Sequence, residues 1–335
     1  MTEAEEVEIV CQDGYRLRGH LWRTDGASMG TVIVNPATAV LAKYYHYYAR
    51  FLTQNGFDVL TYDYRGIGLS RPERLRGCGF RWSDWGELDF DAAVRFAKSH
   101  DPDATLLVVG HSFGGFLPGL AESAVLVDRM LTVGAQYAWW RDYAAHRRVP
   151  LFLKWHVVMP VVTAVCGYFP GRRLGWLEDM PSGVANEWSF RKDRMELSHP
   201  PRKRDALLRR FAAVTAPILA VTVWDDEYAP PVAVKRGLSY YTSSDRIFIH
   251  LDSKDLGHDS VGHFGLFHSR HADGFWQQTL SWLAEGRNPW QAKARPSPRN
   301  RSSAIWGEHG IPVEPVHGRT IHHEGNAGPG TPCER

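Results

Sequence analysis

The sequence predicts an α/β protein, a doubly wound and mostly parallel sheet carrying an inserted, mainly helical cap. Three observations predict it. Continuous aliphatic runs such as Leu106–Val109 and Pro217–Trp224 read as strands buried on both faces. Amphipathic stretches of helical period alternate with them, with turn residues between, which argues for parallel crossovers. A long aromatic stretch, Tyr137 to about Arg210, interrupts the alternation.

The elements follow in order. Val7–Gln12 and Arg16–Trp22 bracket Asp13-Gly14, a hairpin signal. Gly30–Val34 reads as a strand running into the loop Asn35-Pro36-Ala37-Thr38-Ala39-Val40. Leu41–Gln54 reads as a helix with Tyr44, Tyr48, Phe51 and Leu52 on one core-facing side, ended by Asn55-Gly56. Asp58–Tyr64 is the next strand and Trp82–Ser99 the next helix. The strand Leu106–Val109 is followed by the helix Phe116–Val127, then by the strand Met130–Gln136. Beyond the interruption come the strands Pro217–Trp224 and Arg246–Leu251, and the helix Gly274–Leu283 closes the domain. The expected organisation is one domain over residues 1–286, with the cap over about 137–210. Residues 287–335, rich in Pro, Gly, Arg and His and without periodicity, form an irregular or disordered tail.

Composition sets bounds. The chain has 335 residues, 44% hydrophobic and 23% charged, an ordinary globular balance. A net charge of +2 argues against nucleic acid or an anionic membrane as partner. Cys11, Cys78, Cys166 and Cys333 lack metal-ligand spacing and read as free thiols of a reducing compartment. Met1–Glu6 is acidic, with no apolar core of a signal peptide, so a cytoplasmic location is expected. No stretch approaches the roughly 20 continuous apolar residues of a membrane span, and Val157–Val165 is too short and carries Pro160. His317, His322 and His323 in the tail lack paired ligand spacing, so neither metal nor cofactor is expected.

The chemistry concentrates in Gly110-His111-Ser112-Phe113-Gly114, directly after a buried strand. G-x-S-x-G between strand and helix is the setting of a nucleophile elbow, where a strained turn lifts the serine hydroxyl above the sheet edge. A serine hydroxyl needs a base within hydrogen-bond reach and a third group to orient that base. In this motif class an acid and then a histidine follow the serine. Pro217–Trp224 ends in Asp225-Asp226-Glu227, placing acids at a strand's carboxyl end, where sites of open α/β sheets collect. Asp226 is the preferred orienting acid, with Asp225 and Glu227 as alternatives. His263, between Gly262 and Phe264-Gly265, is the preferred base and His258 its rival. His268 and His271 read as surface histidines, and His111 as a packing residue beneath the serine. One oxyanion donor is the Phe113 N–H; the second is the N–H of Ala37, with Thr38 as runner-up, because Pro36 has none. In the cap, Trp139, Trp140, Tyr143 and Trp155 are the candidate substrate-binding residues, as walls of an apolar pocket; the plainer reading glues the cap to the core.

These residues resemble the α/β-hydrolase superfamily of serine hydrolases. The chain is similar to a bacterial group of predicted serine esterases through Asn35–Thr38, Thr61-Tyr62-Asp63-Tyr64-Arg65-Gly66-Ile67-Gly68-Leu69-Ser70, the elbow, Gly134-Ala135-Gln136 and Gly262–Gly265. Asn35-Pro36 stands where His-Gly is common in the wider superfamily. The group also resembles serine-dependent macrolide esterases. The resemblance implies a cofactor-independent serine esterase acting on a small-molecule ester, bulky and apolar, with a macrocyclic lactone as the finer expectation. An amidase or peptidase, a thioesterase, an acyltransferase and a non-catalytic receptor are the alternatives.

Overall fold

The computed structural model describes residues 4–296. Eleven strands occur among them: β1 Glu5–Val10, β2 Arg16–Trp22, β3 Thr31–Asn35, β4 Asp58–Tyr62, β5 Leu106–His111, β6 Arg129–Val133, β7 Tyr168–Phe169, β8 Met180–Pro181, β9 Ile218–Val223, β10 Arg246–Leu251 and β11 Ala294–Pro296. Nine form one sheet in the order β1-β2-β4-β3-β5-β6-β9-β10-β11. The six strands from β4 to β10 in that order pair in parallel, with antiparallel pairs at both ends. Every residue of β3, β4, β5 and β9 is buried, as strands covered by helices on both faces must be. One core lies on each face. Chain direction across the sheet reverses between β3 and β5, and the crevice outside their carboxyl ends is where such sheets bind ligands.

Four local expectations are corrected. The helix expected over Phe116–Val127 is a turn of α-helix, Phe113–Phe116, followed by two 3₁₀ turns, Leu117–Leu120 and Glu122–Leu126. Pro118 and close packing break it: a Cβ on Gly119 would lie 2.1 Å from the Phe211 ring. The strand expected to reach Gln136 stops at Val133, where Gly134 takes φ +55°. The tail does not begin at 287, because β11 pairs with β10 and Trp290 stacks on Phe275 at 5.6 Å. The tail histidines lie outside the described residues. Finally, Arg148–Cys166 forms one helix of 19 residues with a mean hydropathy of 1.7, by length and composition enough to cross a membrane. Lys154 and His156 lie within it, which is why no unbroken apolar run shows in the sequence.

Between β6 and β9 the chain leaves the sheet for an insertion of helices: Arg148–Cys166, Ser182–Ser189 and Pro201–Ala213, with the β7–β8 hairpin. Its aromatics form a continuous stack, Trp155 on Trp188 at 4.6 Å, Trp188 on Trp82 at 5.4 Å and Trp82 on Phe113 at 3.9 Å. The last ring belongs to the elbow, so the insertion reaches the turn that carries Ser112 through Trp82, which lies between β4 and β5.

Candidate active site

The elbow is built by exclusion of side chains. Ser112 sits at φ +56°, ψ −126°, a conformation costly for any residue with a Cβ. A Cβ on Gly110 would lie 2.4 Å from the Gly115 Cα, and one on Gly114 would lie 2.4 Å from the carbonyl oxygens of Asn35 and Pro36. The Ser112 N–H donates to the Val133 carbonyl at 2.9 Å, tying the turn to β6. Ala39 and Ala138 are the other non-glycine residues with positive φ among the described residues. Both lie in loops leaving β3 and β6, so the backbone strain collects around one edge of the sheet.

Each of the three consecutive acids after β9 has its own partner. Asp226 accepts a hydrogen bond from His263 Nδ1 at 2.8 Å, and its Oδ1 accepts from the N–H groups of Tyr228 and Ala229 at 2.9 and 2.8 Å. Asp225 accepts from the N–H groups of Val261 and Gly262 and from the Ser253 hydroxyl, all within 3.0 Å. Burial raises the Asp225 carboxyl, but those amides outweigh it and hold it below the usual carboxylate range. It fastens the loop that delivers His263. Glu227 pairs with Arg147 of the insertion at 3.1 Å. The rival histidine, His258, stacks edge-on against His271 at 4.6 Å. His271 is not a surface residue, being 2% exposed.

His263 is bracketed on three sides. Its ring lies 5.1 Å from Tyr228 and 5.0 Å from His111, the neighbour of Ser112. A Cβ on Gly134 would stand 2.9 Å from Asp226 Oδ2 and 3.1 Å from His263 Cε1. Accepting at Asp226 places the proton on Nδ1 and leaves Nε2 as a base. No Ser112–His263 hydrogen bond forms among the described residues; such contacts tighten on substrate binding.

The loop after β3 corrects one assignment. The Ala37 N–H, expected to face an oxyanion, donates to the Tyr45 hydroxyl at 2.9 Å. Tyr45 in turn meets His111 Nδ1 at 2.7 Å, and His111 Nε2 meets the His263 carbonyl at 2.9 Å. Only an N–H can satisfy that carbonyl, so His111 carries its proton on Nε2 and Tyr45 donates to Nδ1. Burial, and then the nearby His263, hold His111 far below the usual histidine range, so it stays neutral. A single chain of hydrogen bonds thus joins the β3 loop to the histidine loop. The sequence pattern did not single out Tyr45. The resemblance motif after β4 supports the same loop: the Tyr62 hydroxyl donates to Asn35 Oδ1 at 2.9 Å and the Tyr64 hydroxyl to the Pro36 carbonyl at 3.2 Å. Asn35 Nδ2 donates to the Gly114 carbonyl at 3.2 Å. Thr38 makes no hydrogen bond through its N–H among the described residues.

The candidate wall residues divide. Trp139 and Trp140 are half-buried and pack on one another at 5.9 Å. Tyr143 and Trp155, each 1% exposed, are interior residues of the insertion, with the Trp188 indole N–H reaching the Tyr143 hydroxyl at 3.3 Å. Trp155 stacks on Trp188 at 4.6 Å. Sequence reasoning missed Arg191. Its guanidinium is buried over Trp82 at 3.9 Å, Tyr137 at 4.5 Å and Phe113 at 4.9 Å. It donates to the Tyr137 carbonyl at 2.9 Å, makes no ion pair among the described residues, and leaves Nε without a partner. Burial pushes it below the usual arginine range.

A strained serine next to the His111 ring that packs on a buried histidine–carboxylate pair, at the switch point of a parallel sheet, decides the architecture. The fold is that of an α/β-hydrolase. Residues 26–162 match the family model described as serine aminopeptidase, S33. An esterase of Pyrococcus furiosus is similar in structure, with a TM-score of 0.57 and 17% identity over 84% of this chain and 91% of that one. The esterase domain of a Rhodothermus marinus protein gives 0.53 and 18% over 84% and 98%, and the α/β-hydrolase GrgF of a Penicillium species 0.54 and 17% over 85% and 100%. No curated protein matches the chain in sequence.

Proposed function

We propose that the protein is a serine hydrolase of carboxylic esters. The observation that carries this reading is the His263–Asp226 pair at 2.8 Å, held beside the strained elbow that presents Ser112. His263 Nε2 takes the Ser112 proton as the hydroxyl oxygen attacks the ester carbonyl. Asp226, fixed by two backbone amides, keeps the imidazole in the reactive tautomer and stabilises its cation. The Phe113 N–H, an unpaired amide at a helix start, faces the oxyanion. The second donor is the Thr38 N–H, since Ala37 is committed to Tyr45. The imidazolium passes its proton to the leaving alcohol, and water activated by the same histidine hydrolyses the acyl-enzyme.

The substrate is a bulky apolar ester, and a macrocyclic lactone is the finer form of the reading. The aromatic insertion over the elbow supports size and apolarity, with Trp139 and Trp140 as its wall. The test begins with a fluorophosphonate probe, which labels the native protein and leaves Ser112→Ala unlabelled. Ser112→Ala loses at least about a thousandfold in ester turnover while its unfolding midpoint is kept. Retained turnover in a folded Ser112→Ala variant overturns the mechanism. A macrolactone gives one product heavier by one water. Strong preference for acetates, with no lactone opened, overturns the substrate assignment alone, and faster cleavage of anilides than of matched esters makes the enzyme an amidase.

A further inference from the structure

The Arg148–Cys166 helix has two unlike sides. Leu151, Trp155, Met159 and Thr163 are buried against the protein. Val149, Leu153, Val157, Val161 and Val165 recur every four residues on the opposite side and are 41 to 78% exposed, with Val158 beside them. Large aliphatic side chains aligned over about 24 Å of helix form a patch of the kind single scattered surface residues do not make. The surrounding charge is one-sided. Residues 143–177 hold Arg147, Arg148, Lys154, Arg172 and Arg173 and no Asp or Glu, in a chain whose totals are 39 basic and 37 acidic residues. Two of these cations stand at the start of the helix and two follow its end. Arg147 pairs with Glu227 and Arg172 with Glu178, whereas Arg148, Lys154 and Arg173 make no ion pair among the described residues.

We propose that this face docks the protein onto an anionic lipid surface, with the helix lying in the plane of the interface. The buried row favours lying in the interface over spanning, because Leu151, Trp155, Met159 and Thr163 pack against the protein, Trp155 on Trp188 at 4.6 Å. The exposed row enters the acyl boundary while the flanking arginines meet lipid phosphates, which is the design of an interfacial amphipathic helix. The charge pattern selects this occupant over a second copy of the chain: with Arg147 and Arg172 paired to Glu227 and Glu178, two such faces in contact would still oppose Arg148, Lys154 and Arg173 with the same three cations. The sequence expectation of no membrane partner rested on net charge, which averages this local asymmetry away.

The test uses the full chain and does not depend on the proposed activity. Sedimentation with vesicles of phosphatidylcholine alone, or mixed with phosphatidylglycerol, measures partitioning. Partitioning is at least about tenfold stronger onto the mixed vesicles and weakens with salt. The double variant Val157→Glu/Val161→Glu loses about tenfold or more of it, with unchanged circular dichroism and unfolding midpoint, because both positions are exposed. Absence of binding to mixed vesicles overturns the proposal. Equal binding by the double variant overturns it as well. So does a concentration-dependent dimer that the double variant dissolves when neither form binds vesicles, which would make the occupant a second copy.

Discussion

Gly134 shows how little room a reacting pair of side chains leaves. It ends β6 at a positive φ, and its missing Cβ is the space that Asp226 and His263 occupy. Gly134→Ala therefore combines backbone strain with direct displacement of the base. A shift approaching 1 Å at such a pair costs up to about a hundredfold in rate. The expected outcome is a fall in kcat of roughly ten- to a hundredfold with a smaller change in KM, while the unfolding free energy falls by about 1–2 kcal/mol. Steady-state kinetics and urea unfolding on the same preparation check it, and an unchanged kcat would mean that the pair tolerates displacement. Asp226 and His263 were readable because they fall at a strand's end and between glycines, positions defined along the chain. Tyr45 and Arg191 were not, since their partners come from elements 66 residues away in one case and from the elbow in the other.

The insertion is where one element's packing decides the behaviour of another. Arg191 is a buried cation without an ion pair among the described residues, resting on the ring of Phe113. Desolvating a charge without pairing it costs stability, and apolar replacements of similar size at such positions are often neutral or stabilising. Arg191→Met is expected to unfold at the same temperature as the parent or above it, and to lose ester turnover because the elbow loses a fixed neighbour. Differential scanning calorimetry beside a kinetic assay checks both halves; a clear drop in midpoint would show that stacking on Trp82 and Tyr137 outweighs desolvation. Element type was legible wherever period and burial agreed, as in β3, β5 and β9. It was misread after the elbow, where Phe116–Val127 has a helical pattern but Gly119 must admit the Phe211 ring from a helix some ninety residues on. The start of the tail was misread because β11 exists only through pairing with β10.

The whole molecule carries a pH dependence set by buried imidazoles. Burial, with His20 and then Arg50 nearby, lowers His46 to about 4; burial, with His258 and then Arg270, does the same to His271. Both depressed values favour the neutral form in the folded state. Their stabilising effect is therefore complete above an ordinary histidine value near 6.5 and is lost as pH falls toward 4. His271 is nearly inaccessible and accepts from Arg270 Nε at 3.3 Å, so protonation would also break that contact. Thermal unfolding midpoints should drop between pH 6.5 and 4, and His271→Phe should flatten that drop by an amount of order 1–3 kcal/mol. An identical slope in the variant would place the acid sensitivity elsewhere. The three acids after β9 have a consequence of a different kind. Asp225 holds the histidine loop, Asp226 the imidazole and Glu227 the insertion, in consecutive positions. A one-residue deletion or insertion there would keep the composition of the loop and the length of every strand, yet hand each cargo to its neighbour's hook. The spacing of that triplet behaves as a reading frame, and relatives of this chain are expected to vary in loop length on either side of it and never within it.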